Sequence, residues 1–176
     1  MKTNIIRIDN QGNGFSRALD ETEKAAVFEG LDQKDAMRLS LLTQEMLSLA
    51  QCITGDMQAD FWIEGTNGNF DLHMTTETVM DADKRAMLIS AASSRKNEAA
   101  RTLLGWLRDK IEQAMVAQVD HSEEEVPYEL RADVGNQVFE SPEWDGYERS
   151  VLLKLADNVK IGIRGDKVEI VVSKRF

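Results

Sequence analysis

Two hydrophobic periods alternate along the chain. Ile5-Ile6-Arg7-Ile8 is a short apolar run that predicts a strand over Asn4–Ile8, with a turn at Gly12-Asn13-Gly14 behind it. Ala18 to Leu31 reads as a helix that stops at Gly30. Asp20, Glu21 and Glu23 fall in its expected first turn, where the helix dipole favours carboxylates. Asp32 or Asp35 can cap the next helix, which runs to about Ile53 and is closed by Gly55. Its Met37, Leu41, Leu42, Met46, Leu49 and Ile53 recur at helical spacing. The period then drops to two. Asp60–Glu64 and Asn69–Met74 flank Gly65-Thr66-Asn67-Gly68, and Asn-Gly is a strong hairpin signal. Phe61, Ile63, Phe70, Leu72 and Met74 share the expected core face; Trp62 and His73 share the other.

Asp81 to about Val119 predicts a long helical region, broken near Ser93-Ser94. Its second half carries the stripe Ala100, Leu103, Leu104, Leu107, Ile111, Ala114 and Met115, the pattern of core packing. Asp120 to Glu148 holds both prolines and reads as a loop or lid, with weak strand character at Val134–Phe139. The chain closes with a helix over Glu148–Ala156, a strand over Asp157–Ile163, a turn at Arg164-Gly165-Asp166 and a strand over Lys167–Ser173. This order predicts one domain over 1–176: an α+β two-layer sandwich. Its sheet is expected to be mixed but largely antiparallel, with helices on one face, a helical insertion at 81–119 and an acidic lid at 120–148.

Composition narrows the function classes. The 176 residues suit one domain with a real core. Cys52 is the single cysteine, so no internal disulfide forms, and its apolar helical setting predicts a buried, inert thiol. The N-terminus has no apolar signal-like region and no run approaches a membrane span, so a cytoplasmic protein without a membrane partner is expected. Net charge is −10. That excludes nucleic acid as the expected partner, because phosphates attract Lys and Arg. Ten carboxylates and one base, Arg131, lie between Asp120 and Glu148, so this window carries −9 and the rest only −1. The acidity belongs to one segment, a natural docking surface for a basic protein.

The order of elements resembles the GHKL ATPases, which include histidine-kinase ATPase domains and anti-sigma-factor serine kinases. The C-terminal words Val151-Leu152-Leu153-Lys154-Leu155-Ala156-Asp157, Val159-Lys160-Ile161 and Val168-Glu169-Ile170-Val171-Val172 look like that family's last helix and last two strands. Arg38 to Ser48 looks like its N-box helix. The resemblance implies a Bergerat-type fold and a nucleotide pocket. In the family an N-box Glu orients or deprotonates the attacking group, and an Asn four residues on holds Mg²⁺ from the same helix face. Glu45 matches the Glu, but position 49 is Leu, which cannot bind a metal, and Ser48 is a poor substitute. The adenine-binding Asp-x-Gly-x-Gly has no counterpart, since no glycine occurs between Gly68 and Gly105. Thr75, Thr76 and Asp81 are the polar residues left there to contact a ligand in a vestigial pocket. The glycine-rich phosphate lid is replaced by the acidic segment. Its charge opposes a triphosphate over about a Debye length, ~8 Å.

His73 and His121 have no Cys or His at ligand spacing, and Asp81-Ala82-Asp83 lacks the glycine and bidentate Glu of a calcium loop, so no metal site is expected. The reading is therefore a regulatory protein-interaction module on a histidine-kinase-like fold, without efficient ATP binding and without a cofactor. One alternative is an Mg-ATP-binding ATPase or protein serine kinase with Glu45 as base. A further one is a ligand-free dimerisation domain, pairing through the helix-free sheet face near Trp62 and His73 or through the first helix.

Overall fold

The computed structural model describes residues 1–54, 58–100 and 146–176. The expected stripe at Leu103–Met115, the acidic lid up to Asp145, its strand at Val134–Phe139 and the stop at Gly55 lie outside the described residues. The described elements are β1 (Ile6–Asp9), α1 (Phe15–Phe28), α2 (Gln33–Thr54), β2 (Gln58–Thr66), β3 (Asn69–Glu77), α3 (Ala82–Ala91), a single 3₁₀ turn (Glu98–Ala100), α4 (Gly146–Leu155), β4 (Asn158–Arg164) and β5 (Lys167–Arg175).

The strands form one sheet in the order β1-β2-β3-β5-β4. Every pairing among them is antiparallel, so this sheet is less mixed than expected. The β2–β3 hairpin closes on Asn67-Gly68, both at positive φ (51° and 73°). Two successive positive-φ residues make the turn whose twist matches that of the flanking strands. The register sets Trp62 against His73 and Ile63 against Leu72. Strict alternation follows: Phe61, Ile63, Phe70, Leu72 and Met74 are all buried, as the pattern predicts. Val159, Ile161, Ile163, Val168, Ile170 and Val172 extend the same apolar face across β4 and β5.

The helices cover that face, and the molecule is an α+β two-layer sandwich. Asp32 caps α2 by accepting the Asp35 N–H at 2.8 Å, which resolves the two capping candidates in its favour. Leu39, Leu42, Met46, Leu47, Leu49, Ala50 and Ile53 are its buried positions. Met37 and Leu41, apolar positions of the same helix, lie outside, 65% and 37% exposed. The inward stripe passes through Leu39 instead. On α1 the chain becomes helical at Phe15, three residues earlier than expected, so no carboxylate lies in its first turn and the dipole argument does not apply. Its end is as expected. Gly30, at φ 76°, donates to Val27 O (3.1 Å), and Leu31 donates to Ala26 O (3.0 Å), satisfying two terminal carbonyls. Cys52 is half-buried against the core rather than fully buried.

The expected break near Ser93 has a clear role. After α3 the chain runs beside β4, the strand at the sheet edge. Ser93 N–H donates to Val159 O (2.9 Å), and Ser93 Oγ accepts from Val159 N–H (2.8 Å). Asn97 does the same with its amide, donating to Ile163 O (2.9 Å) and accepting from Ile163 N–H (2.8 Å). Four backbone groups that would template another strand are thereby taken.

Candidate functional site

The five residues expected at a site are not gathered in one place. Glu45 and Ser48 lie half-buried on α2. Leu49, where the resembled family would need a metal-holding amide, is fully buried in the core. Thr75 and Thr76 are neighbours on β3, so strand parity sends them to opposite faces. Thr76 is on the core side, its hydroxyl donating to Gln58 O at 3.1 Å. Thr75 is on the opposite side, away from α1 and α2. Asp81 is the N-cap of α3 and accepts the Lys84 N–H at 2.6 Å. Thr78, which sequence reasoning passed over, is more central. Its buried hydroxyl donates to Ile53 O at the end of α2 and accepts from Lys84 Nζ at 2.9 Å, tying α2, β3 and α3 together.

Thr75 and Thr76 do reach one groove, of about 850 Å³, whereas Glu45, Ser48 and Asp81 do not line it. The groove lies on the sheet face opposite α1 and α2, which no α-helix of the described residues covers, and it follows from the register. Gly162, Glu169, Thr75, Asp60 and Arg7 succeed one another across the five strands. The small residues of that row, Gly162 and Thr75, make the hollow, and Glu98 and Ala99 wall its β4 side. Its volume suits a small ligand. Its charge does not suit an anionic one. Arg7, Lys160, Arg164 and Lys167 are matched by Asp60, Glu77, Glu98 and Glu169. Lys167 pairs with Glu77 at 3.2 Å and Arg7 approaches Asp60 at 3.8 Å. With the signs balanced, no net field draws phosphate into it.

One row further along the same face, Trp62 and His73 stack in parallel, ring centroids 4.8 Å apart. Both were expected on this side. Glu64 binds the pair's edge, accepting from Trp62 Nε1 (3.2 Å) and from Lys2 Nζ (2.7 Å). The Lys2 hydrogen bond, then the Trp62 one, lowers the Glu64 carboxyl from its ordinary value. Such cross-strand pairs stabilise a sheet by about 0.2–1 kcal/mol each. The cluster ties Lys2, Trp62 and Glu64 together across the strands, and the buried His73 Nε2 has no hydrogen-bond partner among the described residues.

The outer side of α1 and α2 is different. The residues α1 buries are small: Ala18, Thr22, Ala25 and Ala26. They let α1 lie close to α2, where Thr22 and Thr43 hydroxyls meet at 3.0 Å, both fully buried. Thr22 also reaches Ala18 O (2.8 Å) and Thr43 reaches Leu39 O (3.2 Å). Two protons serve three contacts, so the shorter carbonyl bond and the inter-helix bond are the ones filled. The large apolar residues of α1 divide: Phe15 and Leu19 pack partly buried against the core, whereas Val27 and Phe28 at its end are 79% and 74% exposed. Val27, Ala36, Met37 and Leu41 line one open hollow where α1 turns into α2. Its charged members are Glu23, Asp32, Lys34 and Arg38. Sequence reasoning missed Val27 and Phe28. Their signal was positional: Ala18, Thr22 and Ala25 form the helical stripe, and the two bulky residues fall off it.

No protein-family model matches the chain, and a comparison with curated protein sequences finds no match either. Among the described residues no three His, Cys, Asp or Glu side chains group as metal ligands, and no helix is long and apolar enough to cross a membrane.

Proposed function

We propose that the chain is a regulatory protein-contact module on a histidine-kinase-like fold, acting without efficient nucleotide binding. The observation that carries the reading is the exposed apolar group at the end of α1 and the start of α2. Ala18, Ala25 and Ala26 are inside, while Val27, Phe28 and Met37 are bare. Single exposed apolar residues are common on any protein. Val27, Met37 and Leu41 line one hollow, and an apolar group gathered in that way is the usual mark of a surface meant to be covered. Buried Leu49 at the metal-holding position and the dispersal of Glu45, Thr75 and Asp81 support the absence of nucleotide chemistry. The acidic segment adds a second docking surface, for a basic protein, and the single cysteine suits a reducing cytoplasm.

The test is site-specific photocross-linking in the cell that makes the protein. A photoreactive side chain in place of Met37 or Phe28 is expected to give discrete protein adducts, and one in place of Lys160 on the sheet face is expected to give none. Equal yields at all three positions would remove the contact surface. Calorimetry with ATP and Mg²⁺ addresses the other half. No heat up to millimolar nucleotide is expected. Micromolar, Mg²⁺-dependent binding abolished in turnover by Glu45→Gln would replace this reading with an ATP-using enzyme.

A further inference from the structure

The stacked pair on the sheet face holds a group that the contact-module reading does not use. His73 is the one histidine among the described residues. Its Nε2 is buried and has no hydrogen-bond partner among them. We propose that this nitrogen makes a proton-gated contact. Protonated His73 closes onto Glu64 and ties β3 to β2 and to the chain at Lys2; neutral His73 leaves that contact open.

The geometry supplies the acceptor. The Glu64 carboxylate is loaded on one oxygen only. Oε1 accepts from Lys2 Nζ (2.7 Å) and Trp62 Nε1 (3.2 Å), whereas Oε2 stands 3.9 Å from His73 Nε2. With its proton on Nδ1, a neutral imidazole turns a lone pair toward Oε2, and two acceptors stay apart. A proton on Nε2 converts the same approach into a charge-assisted hydrogen bond, which settles at about 2.7–2.9 Å. The Glu64 side chain is 44% exposed and free to swing the remaining distance. Lys2 already bridges to Glu64. One carboxylate would then hold Lys2 on one oxygen and His73 on the other.

The surroundings favour the added charge. Trp62 stacks flat on the imidazole, planes 2° apart, and the face of an indole attracts a cation. The register sets carboxylates around His73 on every strand beside it: Asp60 and Glu64 on β2, Asp71 on β3 and Glu169 on β5. The cations on this face are more remote or engaged. Lys2 is held by Glu64, Arg7 approaches Asp60 at 3.8 Å, and Lys160 lies two strands away behind Val171. Burial of Nε2 opposes the proton, so the contact opens and closes with pH instead of standing permanently closed.

The test is a proton NMR titration of the full chain between pH 8 and 5, the span in which imidazoles change charge. The chain has two histidines, so His121→Gln assigns the His73 signals, and Trp62→Phe assigns the Trp62 indole N–H. The two sets of signals are expected to move together, with one midpoint. Glu64→Gln is expected to lower that midpoint by about half a pH unit or more, because the charge that holds the proton is gone. Lys2→Ala is expected to raise it, because a competing cation has left the same carboxylate. A folding defect cannot imitate shifts in opposite directions. Midpoints that stay put, or that move the same way in both variants, overturn the proposal. So does a Trp62 signal indifferent to the His73 proton, or a His73 ring that does not titrate in this span.

Discussion

Along β2 and β3 every second side chain is buried, and the buried ones are large: Phe61, Ile63, Phe70, Leu72 and Met74. Along α1 the buried ones are alanines and a threonine, while Val27 and Phe28 face solvent. The two regions contribute to one core and follow opposite rules of size. In the sheet, apolar bulk goes where it removes the most surface from water, at about 25 cal/mol per Å². In α1, the fully buried positions are small and allow close approach to α2, Phe15 and Leu19 pack partly buried against the core, and Val27 and Phe28 at the end of the helix add nothing to it. The difference separates residues that fold the molecule from residues left over for something outside it.

The largest effect expected is the contrast between two phenylalanines. Phe70 is buried and packs edge-on to Phe176 at 5.8 Å. Phe70→Ala is expected to cost about 3–5 kcal/mol by denaturant unfolding, as large-to-small core changes do. Phe28→Ala is expected to stay within about 0.5 kcal/mol when measured on the monomer. Comparable losses at the two positions would mean that Phe28 belongs to the core and that the two-rule description fails.

Next is the sheet edge. Asn97→Ala removes both hydrogen bonds to Ile163 and leaves its N–H and C=O bare. A loss of about 1–3 kcal/mol is expected, the cost of stranding buried polar groups. Aggregation on heating is also expected, since an open edge can pair with another chain. A variant that melts and stays dispersed like the parent would show that the edge is guarded by something other than Asn97.

The helical layer has its own version of that experiment. Thr43→Val keeps the shape but leaves the Thr22 hydroxyl with a single partner, and a cost of about 1–2 kcal/mol is expected. Thr22→Val added to it is expected to recover part of the loss, because removing both partners strands neither. Strict additivity in the double-mutant cycle would deny that the two hydroxyls couple the helices.

These contrasts also mark what could be read in advance. Strand faces were legible because the period of two leaves no choice: once Phe61 is inside, Ile63 is inside and Trp62 is not. Asn67-Gly68 fixed the register that puts Trp62 on His73. In α2 the same logic was ambiguous. Its Leu-rich sequence carries two apolar stripes, one through Leu39, Leu42 and Met46 and one through Met37 and Leu41, nearly half a turn apart. Only the position of α1 decides between them. The predicted site suffered from a related blindness. Thr75 and Thr76 were adjacent in sequence and were grouped, but parity divides them. The Ser93 and Asn97 contacts with β4 span 66 residues and leave no local trace. The surface that carries the functional reading was visible only as an oddity, two bulky residues, Val27 and Phe28, off the stripe of Phe15, Ala18, Leu19, Thr22 and Ala25.

The smallest effect expected is acid sensitivity, and it should belong to the sheet rather than to the α1–α2 face. Asp157 stands just before β4 and accepts from Lys174 Nζ at 2.7 Å and Arg175 N–H at 2.8 Å, pinning the start of β4 to the end of β5. The Lys174 hydrogen bond, then the Arg175 N–H, lowers its carboxyl below the ordinary value. A lowered folded-state pKa means that the stabilisation is present above the unfolded value, near 4, and is lost as pH falls through the folded one. The gap in melting temperature between the parent and Asp157→Asn is therefore expected to be widest near neutrality and to close on acidification. It should be modest, because the side chain is 49% exposed and water screens the pair. Phe28→Ala, measured the same way, should show a pH-independent gap near zero. If that gap instead moved with pH while that of Asp157→Asn stayed flat, the titrating contact would lie on the helical face, and the division between a self-contained sheet and an outward-looking hairpin would have to be redrawn.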